Sequence, residues 1–115
     1  MLFAVAAQGP MPDSLVEPVF GRADWFILVA EDGHISGAFR NPHRDDREAA
    51  GQRLVALLAA HGVTHVLCGE CGSKARIVLA DAGMTLAVGV GGTVRDAILR
   101  QGVVVAGGQV GAFSG

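Results

Sequence analysis

Three short, largely apolar runs limit most strongly the folds open to this chain of 115 residues. They lie at Leu2–Ala7, Thr64–Cys68 and Met84–Val90. A strand with one solvated face alternates apolar and polar residues, whereas a run without alternation is typical of a strand buried on both faces. We therefore expect all three runs to be central strands of a sheet that is covered by helices on both sides.

Two more strands and three helices complete the predicted elements. Trp25–Ala30 and His34–Arg40 are expected to form a hairpin, because Asp32-Gly33 supplies the positive φ angles that a tight turn requires. Apolar residues in the helical segments recur at three- and four-residue spacing, and a glycine stop follows two of these segments. The predicted helices are Asp45–His61, Ser73–Ala82 and Thr93–Gln101.

The order of these elements, β-β-β-α-β-α-β-α, defines the fold class. The leading hairpin predicts an antiparallel part of the sheet, and the later alternation of strand and helix predicts parallel, right-handed crossovers. The sequence thus predicts one α/β domain over residues 1–115, with a mixed five-stranded sheet between two helical layers. The core is expected within residues 2–101, and residues 103–115 form either an added edge strand or a tail.

Composition argues against several functional classes. The formal net charge of −2 and an aromatic content of 5% provide neither the basic surface nor the stacking platform of a nucleic-acid-binding protein. No apolar run approaches the roughly 20 residues that a membrane span needs, and Met1–Ala7 lacks the basic start of a signal peptide. We therefore expect a cytoplasmic protein with neither a nucleic-acid nor a membrane partner.

The segment between the first two strands is the strongest candidate for a binding loop. Gln8–Asp24 is long for a loop in a compact domain, and such loops are often functional. Within it, Gly21 lets a ligand approach the backbone, and the permanent charge of Arg22 suits an anionic ligand. In the alternative, structural interpretation, Phe20 packs in the core, Gly21 only shapes the turn and Arg22 is solvated.

Several short segments share their spacing with one known family. They are Phe20-Gly21-Arg22-Ala23, Phe26, Asn41, the turn from Gly69 to Ala75, and the helix end at Ala82-Gly83. Together they resemble the dinitrogenase iron–molybdenum cofactor biosynthesis family over most of the chain. The resemblance implies a ribonuclease H-like three-layer α/β/α architecture and a role in holding or passing on metal–sulfur clusters. That family usually has histidine directly before the Phe-Gly pair, where this chain has Val19.

Both cysteines of the chain lie in Cys68-Gly69-Glu70-Cys71-Gly72, where a strand leads into a helix. Cys-x-x-Cys spacing lets two thiolates bind one metal or form a disulfide, and free amides at a helix N-terminus favour anions. We expect Cys68 to be shielded, and Cys71 to be accessible with a lowered pKa. Gly69 and Gly72 would bring backbone amides to the ligand. In the alternative interpretation, Cys68 is a core residue and only Cys71 is accessible.

Two further features are weaker candidates. His43 follows the third strand and is a candidate metal ligand that faces the same cleft as Phe20; the alternative is an ordinary loop residue. The segment from Gly89 to Thr93 joins a strand to a helix and either cradles an anion or simply makes a tight turn. Thr93 with Asp96 has the spacing of a capping box.

These observations favour a non-enzymatic protein that binds a metal or a metal–sulfur cluster of iron–molybdenum type, as a carrier or accessory factor. The implied partner is a metallocluster donor or acceptor protein. We expect no enzyme, because paired carboxylates in an apolar context and a nucleophile elbow are both missing from the sequence. One alternative is a metal-free interaction module that kept the scaffold and lost the site, which Val19 favours. Another is a thiol–disulfide redox protein that uses Cys68 and Cys71.

Overall fold

The structure is a computed structural model that describes residues 1–44 and 50–105. Its strands are β1 (Leu2–Ala7), β2 (Trp25–Ala30), β3 (Ile35–Arg40), β4 (His65–Leu67) and β5 (Thr85–Ala87). Its helices are α1 (Ala50–Ala60), α2 (Ser73–Asp81) and α3 (Val94–Leu99), and a short 3-10 turn spans Phe20–Arg22. The predicted start of the first helix, residues 45–49, and residues 106–115 of the predicted edge strand or tail lie outside the described residues.

The strands form one mixed sheet in the order β3-β2-β1-β4-β5. β1 pairs antiparallel with β2 and parallel with β4, and β5 pairs parallel with β4. The predicted mixed five-stranded sheet is therefore confirmed, as are the central positions of β1 and β4. The prediction that Met84–Val90 is a central strand was wrong. β5 has only three residues and lies at the edge, with Thr85 exposed and Leu86 and Ala87 half-buried.

Alternate residues of the central strands contribute to two separate hydrophobic cores. Ala4 and Ala6 of β1 face the core that α1 and α2 cover, whereas Phe3 and Val5 face the core that α3 covers. The two-residue period of a strand thus supplies both cores from one apolar run. This arrangement makes three layers, helix–sheet–helix, as predicted. The ribonuclease H-like label stays a prediction.

Glycines end two of the helices as the sequence predicts. Gly62 follows α1 with φ +81°, and Gly83 follows α2 with φ +76°, in the left-handed region where a side chain is strained. The α1 face predicted from periodicity is mostly correct, because Leu54 and Leu58 are buried. His61 is exposed, but its ring stacks on Phe39 with 4.9 Å between ring centroids. In the part of the chain that the structure describes, no helix has the length and apolar character of a membrane span.

Candidate site at the carboxyl edge of the sheet

The predicted site residues come together at one edge of the sheet. β1, β4 and β5 run parallel, so the segments that follow them emerge on the same side. We name these segments the entry loop (residues 8–24), the cysteine loop (residues 68–72) and the glycine turn (residues 88–93). Trp25 pairs with both Ala7 and Arg40, so residues 41–44, which include His43, also begin at this edge. Carboxyl edges of parallel strands are the usual place for ligands in α/β sheets.

Backbone hydrogen bonds hold the entry loop against the cysteine loop. The Phe20 N–H donates to the Glu70 carbonyl over 3.0 Å, and the Glu70 N–H donates to the Pro18 carbonyl. The Gly69 N–H donates to the Glu17 carbonyl over 3.3 Å. A Cβ on Gly69 would lie 2.5 Å from the Pro18 carbonyl oxygen, closer than real contacts allow. Gly69 is therefore required here by the close approach of two backbones, which is a structural reason for the residue.

The glycine turn belongs to the same network. The Gly89 N–H donates to the Gly69 carbonyl over 2.6 Å, which joins this turn to the cysteine loop. The Val16 N–H donates to the Gly92 carbonyl over 2.9 Å, which joins it to the entry loop. Because each loop is hydrogen-bonded to the other two, the carboxyl edge behaves as one connected surface.

The entry loop divides between the core and solvent. The Phe20 side chain is 1% exposed and packs edge-on against Phe26 at 5.6 Å between centroids, so it belongs to the core as the structural interpretation expects. Arg22 is exposed. A Cβ added to Gly21 would meet nothing within 4 Å, and the same holds for Gly72 of the cysteine loop. The outward face of the site therefore consists of open backbone at Gly21 and Gly72 with the Arg22 side chain beside Gly21.

Asn41 attaches the segment after β3 to the entry loop. Its side chain is largely buried, its Nδ2 donates to the Gly21 carbonyl over 3.4 Å, and its Oδ1 accepts from the His43 N–H over 2.9 Å. Arg44 forms an ion pair with Asp24 at 2.7 Å. Half-buried His43 is thus linked to the entry loop through the hydrogen bonds of the Asn41 side chain. In the sequence, only the family resemblance singles out Asn41. The structure gives a physical reason for an asparagine at this position, because its buried amide hydrogen-bonds two backbone groups.

Both thiols are buried, which corrects one expectation. Cys68 is 0% exposed, its Sγ donates to the Glu70 carbonyl over 3.4 Å, and burial raises its pKa to about 12. Cys68 was predicted to be shielded, and this is confirmed. Cys71 is only 7% exposed, and burial raises its pKa too, against the opposing charge of Arg76. The prediction of an accessible Cys71 with a lowered pKa was wrong, because its side chain enters the core under α1 and α2, where desolvation outweighs the helix N-terminus.

The start of α2 carries a cation that sequence reasoning missed. Arg76 lies one turn into the helix, and its Nε donates to the Cys71 carbonyl over 3.0 Å. Its charge partly offsets the rise in pKa that burial causes in both thiols. Gly72 occupies the N-cap position with φ −65° and makes no side-chain cap. A basic residue in the first helical turn after Cys-x-x-Cys is the sequence signal that points to this contact.

The described residues contain no group of three or more His, Cys, Asp or Glu side chains arranged to hold a metal ion. Cys68, Cys71 and His43 therefore do not belong to a preformed donor cage within residues 1–44 and 50–105. A tetrahedral metal site of the structural type needs four such donors. What the edge does offer is open backbone, the charged side chains of Arg22 and Arg76 among its cations, and one thiol with slight exposure.

A model of the dinitrogenase iron–molybdenum cofactor family matches residues 1–101. The chain belongs to this family. The match covers the sheet, the helices and the three loops of the described residues, and it confirms the family resemblance that the sequence shows over most of the chain. No curated protein sequence matches the chain significantly.

Solved structures with this fold support the assignment. The apo form of the orange protein of Desulfovibrio gigas shares 33% identity over 93% of each chain, with a TM-score of 0.78. A Thermotoga protein provisionally described as a NifB protein of the DUF35 family shares 28% identity over 88% of this chain and 86% of its own, with a TM-score of 0.76. A Methanocaldococcus jannaschii protein provisionally described as a dinitrogenase shares 13% identity over 90% of this chain and 91% of its own, and its TM-score of 0.60 shows likeness of fold alone.

Proposed function

We propose that this protein is a non-enzymatic carrier or accessory factor whose cargo is an anionic metal–sulfur cluster of iron–molybdenum type, bound at the carboxyl edge of the sheet. The observation that carries the proposal is the open backbone at Gly21 and Gly72, on two loops that are hydrogen-bonded to each other. Arg22 on one loop and Arg76 at the start of α2 supply positive charge. Membership of a family named for this cofactor supports the choice of cargo.

The state of the thiols limits how such a cargo is held. Thiolates are the form of cysteine that binds metals, and raised pKa values keep Cys68 and Cys71 protonated near neutral pH. The chain therefore fits a preassembled cluster that brings its own inorganic ligands better than a bare metal ion. In this proposal Phe20, Gly21 and Arg22 form one wall, and Gly69 and Gly72 support the facing loop. Cys71, then Cys68 and His43, are the candidate direct ligands, and a thiol that binds the cluster releases its proton in doing so.

A carrier has to receive its cargo and hand it over, so the proposed partner is a metallocluster donor or acceptor protein. The shallow, open position of Gly21 and Gly72 suits transfer, because a second protein can approach the same backbone from solvent. Deep enclosure of the cluster would oppose such an exchange.

The test is anaerobic reconstitution with iron, sulfide and molybdate, followed by gel filtration, elemental analysis and absorption spectroscopy. We expect metal and sulfide to co-elute with the protein. Arg22→Gln should reduce the retained metal severalfold, whereas Arg53→Gln on α1, with the same loss of charge, should leave it unchanged. Val19→His should increase retention, since it restores the imidazole that the family usually has beside the Phe-Gly pair.

A metal-free interaction module is the second candidate. Val19 favours it, as does the lack of a three-donor group in the described residues. If wild-type protein and Val19→His both elute without metal while remaining folded, the carrier proposal fails and the interaction module takes its place.

A further inference from the structure

Cys68 and Cys71 lie on the same side of the sheet. Both belong to the hydrophobic core that α1 and α2 cover, although they are only three residues apart at a strand–helix junction. The Cys68 Sγ is directed at the Glu70 carbonyl, that is, into the loop that leads to Cys71. Both cysteines are free thiols in this structure. Because the two free thiols share one loop and one layer of the core, we treat them as a dithiol pair.

The peptide groups between the two cysteines hold the wall of the candidate site. The Glu70 N–H donates to the Pro18 carbonyl, and the Glu70 carbonyl accepts from the Phe20 N–H. The same carbonyl accepts a hydrogen bond from the Cys68 thiol. Gly69 packs so closely on Pro18 that a methyl group would not fit between them. A rearrangement of residues 69–70 therefore either moves Pro18 and Phe20 as well or breaks their hydrogen bonds to the cysteine loop.

We infer that this pair is a redox switch for the entry loop: an internal Cys68–Cys71 disulfide removes the thiol donor at Glu70 and releases the Phe20 backbone from the cysteine loop. A disulfide holds its sulfur atoms roughly 2.05 Å apart with a fixed dihedral preference. Closing it therefore draws the two free thiols of this structure together and changes the shape of the two-residue segment between them. The reduced form is the one described here, and in it the hydrogen bonds of Glu70 to Pro18 and Phe20, which we call the clamp, are intact. The oxidised form presents a different Phe20–Arg22 surface.

The oxidant is a small-molecule disulfide, RSSR, such as oxidised glutathione. Cys71, the thiol with 7% exposure, gives up its proton and attacks one sulfur, forming a Cys71–S–S–R bond and releasing RSH. The Cys68 thiol then loses its proton and attacks the Cys71 sulfur, which closes the internal disulfide and releases a second RSH. Two protein thiols are oxidised to one disulfide, and one RSSR is reduced to two RSH.

The change in the loop needs no cargo, so it is tested without metal; only its consequence for cluster binding rests on the proposed function. The protein is incubated with oxidised glutathione, and mass spectrometry of the digested, alkylated chain locates the disulfide. Amide hydrogen exchange is then followed by NMR in the reduced and oxidised forms. We expect the Phe20 and Glu70 amides to exchange at least about tenfold faster after oxidation, because both are released from the clamp.

The controls separate the switch from general loosening. The Gly33 N–H, bonded to Ala30 at the opposite edge of the sheet, should keep its exchange rate. Cys71→Ser and Cys68→Ala, each checked for folding by its reduced-state spectrum, should show no response of Phe20 to the oxidant. Mixed disulfides without the internal bond would overturn the inference. So would an internal disulfide that leaves the Phe20 and Glu70 exchange rates unchanged.

Discussion

The cysteine loop and the glycine turn occupy equivalent places in the fold but differ in how their helices begin. Each leaves a parallel strand at the carboxyl edge and leads into a helix. At the glycine turn, Thr93 and Asp96 form a reciprocal capping box, with hydrogen bonds of 3.1 and 3.2 Å. At the cysteine loop, Gly72 offers no side chain to the first amides of α2. The same topology thus gives one helix start with a side-chain cap and one without.

The loops also differ in their tolerance of a side chain. Gly69 in the cysteine loop lies against the Pro18 backbone, whereas a Cβ on Gly91 in the glycine turn would meet nothing within 4 Å. The open helix start therefore follows a peptide that packs tightly on the entry loop. Rigid support beneath an exposed backbone is what a preorganised binding surface requires.

The largest effect is expected from Gly69→Ala. The new methyl group would overlap Pro18 backbone atoms, which cannot rotate away as a flexible side chain would, so we expect a loss of about 3 kcal/mol in the free energy of unfolding. Gly91→Ala is the matched control and should change it by less than about 0.5 kcal/mol. Urea unfolding of the two variants measures both values. Equal stability of the two would show that the clamp between entry loop and cysteine loop is looser than described.

The next effect is a loss of stability at alkaline pH that originates in the cysteine loop. Burial raises the Cys68 pKa from 9.0 to about 12, so the unfolded chain gives up this proton before the folded chain does. The stabilising contribution is complete below about pH 9 and is lost as the pH rises towards about 12. The chain has no tyrosine, so no phenol titrates in that range. Urea unfolding at several pH values should show a decline in wild type that is much weaker in Cys68→Ala, and an equal decline in both would assign the titration to another group.

A smaller effect is expected when the cap of the glycine turn is removed. Thr93→Ala should cost about 1 kcal/mol, the usual value for an N-cap, whereas Ser73→Ala at the first position of α2 should cost almost nothing. The Thr93 backbone N–H, through its hydrogen bond, lowers the pKa of Asp96. This contribution is present above the ordinary carboxyl pKa and is lost as the pH falls below about 4. If the wild type and Asp96→Asn lose stability in parallel below that pH, the capping box does not carry the expected charge effect.

The sequence alone correctly predicts the strands and helix ends that depend on local sequence pattern. Leu2–Ala7 and Trp25–Ala30 have the predicted bounds, and Gly62 and Gly83 stop helices as expected. The position of Met84–Val90 within the sheet was predicted wrongly, because an apolar run predicts that a strand is buried but not which strands it pairs with. Three residues of β5 pair on one side only, and the edge position depends on the order of all five strands.

The sequence predicted which loops meet at this edge of the sheet, but not the electrostatics of the side chains there. The loops that carry Phe20, Cys71 and His43 do reach one edge, since parallel strands bring their carboxyl ends together. The direction of the Cys71 side chain could not be predicted, because the residue before a helix N-terminus is able to face either solvent or core. Because the Cys71 side chain is buried, its pKa is raised and not lowered. Arg76 was missed because its contact with the Cys71 carbonyl depends on that same geometry.

The smallest effect on stability, and the sharpest test of the comparison, is expected from Gly72→Asp. Gly72 has φ −65° and ψ 157°, which any residue adopts, so an aspartate there can cap α2 as Thr93 caps α3. We expect a gain of a few tenths of a kcal/mol, since glycine is only slightly worse than aspartate as an N-cap. The same carboxylate occupies the open amides and repels an anion, so the variant should retain severalfold less cluster in reconstitution while being at least as stable. Gly72→Ala adds bulk without charge or a cap and should retain more cluster than Gly72→Asp; equal retention by both variants would show that the start of α2 is not where the anion binds.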